Sequence, residues 1–202
     1  SKYDKLHSCA KHFAVHSGPE WNRHSFDART IAPRDLLETY LPPFKALVQD
    51  AKVKELMCAY NRFEGEPCCG SNQLLIQILR GNWKYDGIVV ADCGAISDFF
   101  RPNGHGTHES VEAAAADGVL KGTDLDCGSS YKMLMSSVRK ELIKEKDIDV
   151  SVARLLKARF ELGEMDDPSK VEWTKIPYSV VASAKHNDLA LDMARKSIVL
   201  LQ

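Results

Sequence analysis

Short apolar runs alternate along the chain with longer stretches that repeat apolar residues every three or four positions. Four of the runs are rich in small and β-branched residues and predict buried strands, at residues 7–16, 54–60, 87–92 and 122–127. A strand followed by a helix, repeated at intervals of roughly 30 to 45 residues, is typical of successive βα units on a parallel sheet. The pattern therefore predicts an α/β fold.

The predicted helices have recognisable ends. Ser71 is a favoured N-cap residue before an apolar stripe that Gly81 is expected to close. Pro42 and Pro43 are expected to kink or interrupt a helix over residues 33–48, because proline lacks the backbone donor. Further helices are predicted near residues 110–117, 131–144, 148–162 and 183–196.

Four strands are half the number in a (β/α)8 barrel, which typically takes about 250 residues. An open, doubly wound sheet shows the same alternation and stays open as an alternative. We predict a parallel (β/α) half-barrel over residues 1–165, followed over 166–202 by a linker, a helix and the first strand of a second domain. Because a half-barrel leaves two sheet edges and an apolar face uncovered, the isolated chain is expected to form a homo-oligomer, and a non-catalytic, self-associating half-barrel module stays open as an alternative function.

The bulk composition narrows the classes of partner. The 202 residues carry 27 Lys and Arg against 28 Asp and Glu, so the net charge of −1 favours neither nucleic acid nor an anionic membrane as a partner. No apolar run approaches the ~20 residues of a membrane span. No cofactor is expected.

Six cysteines occur, and none belongs to a Cys-x-x-Cys pair. We expect all six to be mainly structural, chiefly as small buried hydrophobic residues. The adjacency of Cys68 and Cys69 disfavours a disulfide between these two. His105 and His108 have a chelating spacing, but no third ligand is clustered with them, so no metal site is predicted.

Asp92 directly follows the most strand-like run, Ile88–Ala91. In a parallel barrel the catalytic groups gather at the carboxyl ends of the strands, which favours a chemical role for this carboxylate. Asp is also a favoured N-cap residue, so a purely structural role stays open from this stretch alone. Lys11 and His12 stand together in the first run, where a solvated strand end is the structural alternative.

Five motifs, in this order and spacing, resemble those of glycoside hydrolase family 3, in its β-xylosidase/β-glucosidase branch. They are Lys11-His12-Phe13, Tyr40-Leu41-Pro42-Pro43-Phe44, Met57-Cys58-Ala59-Tyr60-Asn61, Gly87-Ile88-Val89-Val90-Ala91-Asp92 and Gly122-Thr123-Asp124-Leu125-Asp126. The resemblance covers residues 5–202. It implies that the four strands are strands five to eight of a TIM-barrel-like (β/α)8 catalytic domain.

The same resemblance implies retaining hydrolysis of a terminal β-linked xylose or glucose, from an oligosaccharide or aryl glycoside, through a covalent glycosyl-enzyme on Asp92. Lys11 and His12 would bind sugar hydroxyls, and Tyr60 would lie beside the nucleophile. Many β-glucosidases of the family carry Trp directly after the nucleophile, whereas xylosidases often carry Cys, so Cys93 is a substrate-binding candidate that favours a pentose. The nucleophile must stay charged, and Lys11 is the cation expected near it. The family also implies a periplasmic or secreted location.

The proton donor is the missing part. In most of the family it comes from the second domain or an associated loop, so the isolated chain is expected to be inactive. A branch similar to β-N-acetylglucosaminidases uses an Asp-Ser-His donor, but the matching stretch here is Asn22-Arg23-His24, and without an acid partner His24 is a poor donor. Other loop carboxylates that could reach the site are Glu20, Asp98 and Glu109. Aromatic residues that could lie against a sugar ring, with ordinary packing as the alternative, are Trp21, Tyr60, Phe99 and Phe100.

Overall fold

The computed structural model describes residues 2–201, and its strands form two sheets. In chain order the strands are β1 (Cys9–Phe13), β2 (Asp27–Ala28), β3 (Glu55–Cys58), β4 (Arg62–Phe63), β5 (Glu66–Pro67), β6 (Ile88–Ala91) and β7 (Leu125–Asp126). The central sheet has the order β1-β3-β6-β7, and each neighbouring pair is parallel. The predicted α/β class with a parallel sheet is confirmed, although β7 keeps only two residues of its predicted run.

The register of the central sheet brings the strand ends to one edge. Phe13 pairs with Cys58, Cys58 with Ala91, and Ala91 with Asp126. The residues that follow these four positions therefore emerge side by side at the carboxyl edge of the sheet. Asp92 is one of them.

Helices connect these strands. In chain order the α-helices are α1 (Pro33–Asp35), α2 (Pro42–Gln49), α3 (Ala95–Asp98), α4 (Val111–Leu120), α5 (Leu134–Arg139), α6 (Glu145–Glu161) and α7 (Ala184–Ser197). Two π-helical segments occupy Leu36–Tyr40 and Asn72–Asn82, and 3-10 turns lie at Glu20–Asn22, Cys68–Gly70, Ser130–Met133, Pro168–Lys170, Glu172–Lys175 and Tyr178–Val180. Within residues 2–201, no helix combines the length and the apolar character that crossing a bilayer requires.

The helix starts predicted at Ser71 and near residue 110 are confirmed, whereas the helices predicted from 131 and 148 begin at Leu134 and Glu145. Ser71 accepts a hydrogen bond from the Leu74 amide at 3.0 Å, and Ser110 caps α4 in the same way. Pro42 is the first residue of α2, where a missing amide costs no hydrogen bond, and it separates α2 from the preceding π-helical segment. The expected stop at Gly81 is wrong by one residue, since the segment continues to Asn82.

A second sheet, of order β2-β4-β5, was not foreseen in the polar stretch 20–29. Asp27 holds it together: its carboxylate accepts the Gly65 amide at 3.0 Å and the Arg29 Nε at 2.6 Å. The Arg62 amide also donates to the Phe26 carbonyl at 2.8 Å. These bonds fix the segment around residues 24–28 beside the chain that leaves β3.

Two disulfides correct the prediction that the cysteines are mainly buried hydrophobic residues. Cys58 is bonded to Cys69, and Cys93 to Cys127, with Cα atoms 5.1 Å and 4.4 Å apart. The reason is that the fold brings together cysteines that are 11 and 34 residues apart: Cys69 in a 3-10 turn returns to the end of β3, and Cys93 and Cys127 follow the adjacent strands β6 and β7. Cys68 and Cys9 remain free, and Cys68 is buried, as expected for a small apolar residue.

Contacts divide the described chain into two compact units, residues 6–159 and residues 2–5 with 160–201. In the smaller unit, the Trp173 indole donates to the Tyr3 carbonyl at 3.0 Å. Residues 198–201 join no sheet and are exposed, so the strand expected there stays a prediction, and Gln202 lies outside the described residues. The domain boundary at residue 165 likewise stays a prediction.

Candidate active site

Asp92 lies at the carboxyl edge of the central sheet, directly after β6. Its side chain is 13% exposed. One carboxylate oxygen, Oδ1, accepts the Cys93 amide at 2.8 Å, and the other, Oδ2, lies 3.3 Å from Nε2 of His12. Gly94 then adopts a positive φ of 86°, which turns the chain at once into α3 and which other residues rarely adopt. Both oxygens thus have a partner, and Oδ2 faces His12 on β1, which is separated from β6 by β3 in the sheet.

His12 reaches Asp92 from β1, next to a cis peptide bond between Lys11 and His12. Burial lowers the pKa of His12, the charge of Asp92 opposes that effect, and Lys11 and His16 lower the pKa further. The imidazole therefore favours its neutral form, which can both donate and accept hydrogen bonds. Lys11 is exposed and, among the described residues, forms no ion pair with Asp92, so His12 occupies the place expected for Lys11.

Tyr60 reaches the same place from the segment after β3. Its hydroxyl donates to the Cys93 carbonyl at 2.8 Å. Burial is the main cause that raises the pKa of Tyr60, followed by the charge of Asp92 and hydrogen bonding with it. The phenol therefore stays protonated and remains a donor beside the segment that carries Asp92. The expected neighbourhood of Asp92, His12 and Tyr60 is present.

Cys93 is exposed, and its disulfide to Cys127 ties the turn after β6 to the end of β7. The Gly94 amide reinforces this link by donating to the Cys127 carbonyl at 2.7 Å. Cys93 is therefore no free thiol, and any contact with a substrate would be made by a fixed sulfur. The signal for the pairing was present in the sequence, because each cysteine closely follows one of two adjacent strands.

His24 has an acid partner, contrary to the reasoning from Asn22. The partner is Asp98 at the end of α3, whose Oδ2 lies 2.7 Å from Nδ1 of His24. His24 also packs against Tyr60, with ring centroids 4.3 Å apart. Local sequence could not reveal this pair, since the two residues are 74 positions apart.

The other candidates fall into place as follows. Glu20 accepts a hydrogen bond from Arg23 at 2.7 Å, and Glu109 is exposed. Phe99 is wholly buried in the core, which corrects its candidacy as a sugar platform, whereas Trp21 is 85% exposed. Phe100 packs, partly buried, against the same core.

The two loop histidines have protein partners. His105 Nε2 lies 2.8 Å from the Tyr60 carbonyl oxygen, and His108 Nε2 lies 3.3 Å from Asp117. Within residues 2–201, neither belongs to a group of three side chains close enough to share a metal ion. Instead, His105 supports the backbone of Tyr60.

Comparison with known proteins identifies the architecture. A model described as the N-terminal domain of glycosyl hydrolase family 3 matches residues 2–158. The chain belongs to glycosyl hydrolase family 3. The sequence resemblance to this family is thereby confirmed.

The relatives of this family 3 chain are glycosidases by name. It is 53% identical over 204 residues to a xylan 1,4-β-xylosidase of Xylanibacter ruminicola, covering 100% of this chain and 24% of that protein. It is 36% identical to the probable β-D-xylosidase 7 of Arabidopsis thaliana, covering 100% of this chain and 27% of that protein. The chain thus spans about a quarter of the length of these relatives.

Solved structures show the same architecture. A family 3 exo-β-xylosidase in complex with a xylobiose aziridine activity-based probe has a TM-score of 0.91 and 34% identity, over 100% of this chain and 26% of that one. The β-glucosidase of Listeria innocua in complex with glucose has a TM-score of 0.83 and 26% identity, over 98% of this chain and 26% of that one.

Proposed function

We propose that this chain carries the nucleophile and part of the sugar-binding surface of a retaining β-xylosidase. The observation that supports this most is the position of Asp92, at the carboxyl edge of a parallel sheet and 3.3 Å from His12. Tyr60 adds a protonated hydroxyl on the other side. A carboxylate flanked by neutral hydrogen-bonding groups suits a substrate that offers only hydroxyl groups for hydrogen bonding.

In the proposed reaction, an oxygen of Asp92 attacks the anomeric carbon, and the bond to the departing sugar or aryl oxygen breaks. The departing oxygen takes a proton from a general acid. Water, deprotonated by the same group acting as base, then releases the sugar from the ester on Asp92. The retaining course follows from two successive inversions.

Xylose is the sugar that we propose, with glucose as the alternative. Both relatives described above in sequence are xylosidases by name, and the xylosidase structure has a higher TM-score than the glucosidase structure. Cys93 directly after the nucleophile, where many β-glucosidases of the family carry Trp, favours the same choice.

Further proposals concern the rest of the protein. We infer that the four parallel strands are the last four of an eight-stranded barrel, and that a segment outside this chain supplies the acid, so that the isolated chain is inactive. His24 is disfavoured as the acid, because its Nε2 accepts a hydrogen bond from Arg23 at 3.2 Å and is not presented as a donor. Two disulfides suit an oxidising compartment, which supports a periplasmic or secreted location.

The test uses the intact protein that carries this chain. A 2-deoxy-2-fluoro-β-xyloside with a good leaving group should inactivate it and leave a 2-deoxy-2-fluoroxylosyl ester on the peptide containing Asp92, detectable by mass spectrometry. Asp92→Asn should abolish turnover of aryl β-xyloside, whereas Asp86→Asn, a change at an exposed carboxylate paired with Lys157, should leave it near normal. A label on another carboxylate, or full activity of Asp92→Asn, would remove Asp92 from the mechanism.

A further inference from the structure

The pair formed by His24 and Asp98 lies beside the proposed site, yet the proposed reaction does not use it. Asp98 is only 6% exposed, whereas His24 is 44% exposed. Their 2.7 Å contact joins the loop after β1 to α3. The buried carboxylate restrains the ring at Nδ1, so that Nε2 is held in place toward Arg23.

The hydrogen bonds of His24 assign its tautomer. Because the Asp98 carboxylate can only accept, Nδ1 of His24 carries a proton. Nε2 accepts the Nε–H of Arg23 at 3.2 Å, so it carries none. The ring is therefore neutral in this arrangement. A protonated ring would donate from both nitrogens, could not accept from Arg23, and would set two cations against each other.

The same pair packs on Tyr60. The ring of His24 lies 4.3 Å from the Tyr60 ring, and the Arg23 guanidinium lies 5.2 Å from it. The Tyr60 hydroxyl in turn donates to the Cys93 carbonyl. Tyr60 and His24 thus connect the two ends of segment 92–98, since Tyr60 binds near its start and His24 binds at its end. Movement of His24 would therefore disturb both Arg23 and Tyr60, the second of which lies beside Asp92.

We propose that His24, held by Asp98, is a positioning residue that keeps Arg23 and Tyr60 in place for sugar binding. The inference rests on the proposed function, because it requires a sugar beside Asp92. Its consequence is that the affinity for the sugar depends on the hydrogen bond that Nε2 of His24 accepts from Arg23.

The charged groups near this pair come from two segments. Asp98 and Arg101 belong to α3 and the turn after it, and Arg23 and Glu20 belong to the loop of His24 itself. Burial raises the pKa of Asp98, and the hydrogen bond with His24 opposes that rise.

The experiment compares two amide variants in the intact protein. The amide of Gln reaches the position of Nε2, so His24→Gln can still accept from Arg23. The amide of Asn reaches only the position of Nδ1, so His24→Asn can bind Asp98 but leaves Arg23 without its acceptor. KM and kcat for aryl β-xyloside are measured at pH 8, with melting temperatures to show that each variant is folded.

His24→Asn should raise KM about tenfold, the size of a lost hydrogen bond to a charged group, with kcat affected less. Asp98→Asn should raise KM in the same direction. His24→Gln, which keeps the acceptor for Arg23, should keep KM near that of the unmodified protein. A normal KM in His24→Asn, or an equally raised KM in His24→Gln, would overturn the proposal.

A second measurement separates this inference from the proposed function. In protein labelled with ¹⁵N-histidine, His24 should give the signal of a ring protonated at Nδ1 at pH 8, and Asp98→Asn should shift it toward the Nε2-protonated form. This readout needs no substrate. If the intact protein hydrolysed neither xyloside nor glucoside, the proposed function would fail. If the tautomer were insensitive to Asp98→Asn, the positioning proposal would fail.

Discussion

Asp124, a buried carboxylate beside β7, offers a quantitative test of how the segment before Asp92 is held. Its side chain has no exposed surface. One oxygen accepts Arg80 at 2.8 Å and the Val89 amide at 2.9 Å, and the other accepts Arg154 at 2.7 Å and Ser151 at 2.9 Å. Val89 belongs to β6, three residues before Asp92. The carboxylate therefore neutralises Arg80 and Arg154 and holds β6, the strand that precedes Asp92.

The perturbation is Asp124→Asn, which keeps the volume and removes the charge. Burial lowers the pKa of Arg80 and the charge of Asp124 opposes this, so the substitution leaves a buried cation without compensation. Removing one partner of a buried pair costs about 3–5 kcal/mol. Because the remaining amide oxygen can still accept one donor, we expect the lower end, about 3 kcal/mol. For a chain of this size, that is a fall in melting temperature of about 6–12 °C.

The assay is thermal unfolding followed by near-ultraviolet circular dichroism, at one fixed protein concentration so that association does not alter the comparison. The matched control is Asp86→Asn, which removes an exposed ion pair of 3.1 Å with Lys157 and should cost about 0–1 kcal/mol. In the intact protein, Asp124→Asn should also lower kcat. If both variants melted within 2 °C of the unmodified chain, the argument that Asp124 holds β6 would be refuted.

Three further outcomes are expected. Burial lowers the pKa of His105 to about 4, so the folded chain loses stability as pH falls from about 6.5 to about 4, by about 3 kcal/mol in all. In urea titrations at pH 7 and 4.5, His105→Gln should reduce this loss of stability. The control His186→Gln, at an exposed position, should leave the loss unchanged. When the disulfides are reduced with dithiothreitol and the thiols alkylated with iodoacetamide, Cys93 and Cys127 should react before Cys58 and Cys69, because the second pair is buried. Simultaneous alkylation of both pairs would contradict this expectation. The isolated chain should associate, because β1 and β7 are free edges of its central sheet within the described residues, and light scattering of a monomer at all concentrations would show this expectation to be wrong.

The order of strands and helices could be predicted from the sequence, because each βα unit is encoded in a local window. The buried run at β6, the cap at Ser71 and the prolines that begin α2 each act over a few residues. The small sheet β2-β4-β5 could not be predicted in the same way. Its strands are two residues long. The side chain that holds them is that of Asp27, and the local sequence does not distinguish this residue from an ordinary acidic residue in a loop.

The candidate site likewise contains residues that could be predicted from local sequence and residues that could not. Asp92, His12 and Tyr60 follow or end strands, so the alignment of strand ends brings them together once the parallel sheet is assumed. The partner of His24 could not be found so easily. Asp98 binds it because α3 begins immediately after a turn at Gly94, which depends on a positive φ rather than on any pattern of apolar residues.

The junction between β6 and β7 explains why so short a strand can help to hold the nucleophile. Only two residue pairs join these strands, Val90 with Leu125 and Ala91 with Asp126, which is a weak ladder by itself. Asp124 extends it on one side, since its amide donates to the Val89 carbonyl at 2.7 Å and its carboxylate accepts the Val89 amide. The Cys93–Cys127 bridge extends it on the other side. Asp92 lies between the contacts of Asp124 and the Cys93–Cys127 disulfide. Its position therefore depends on a buried ion network and a disulfide more than on the length of the strands.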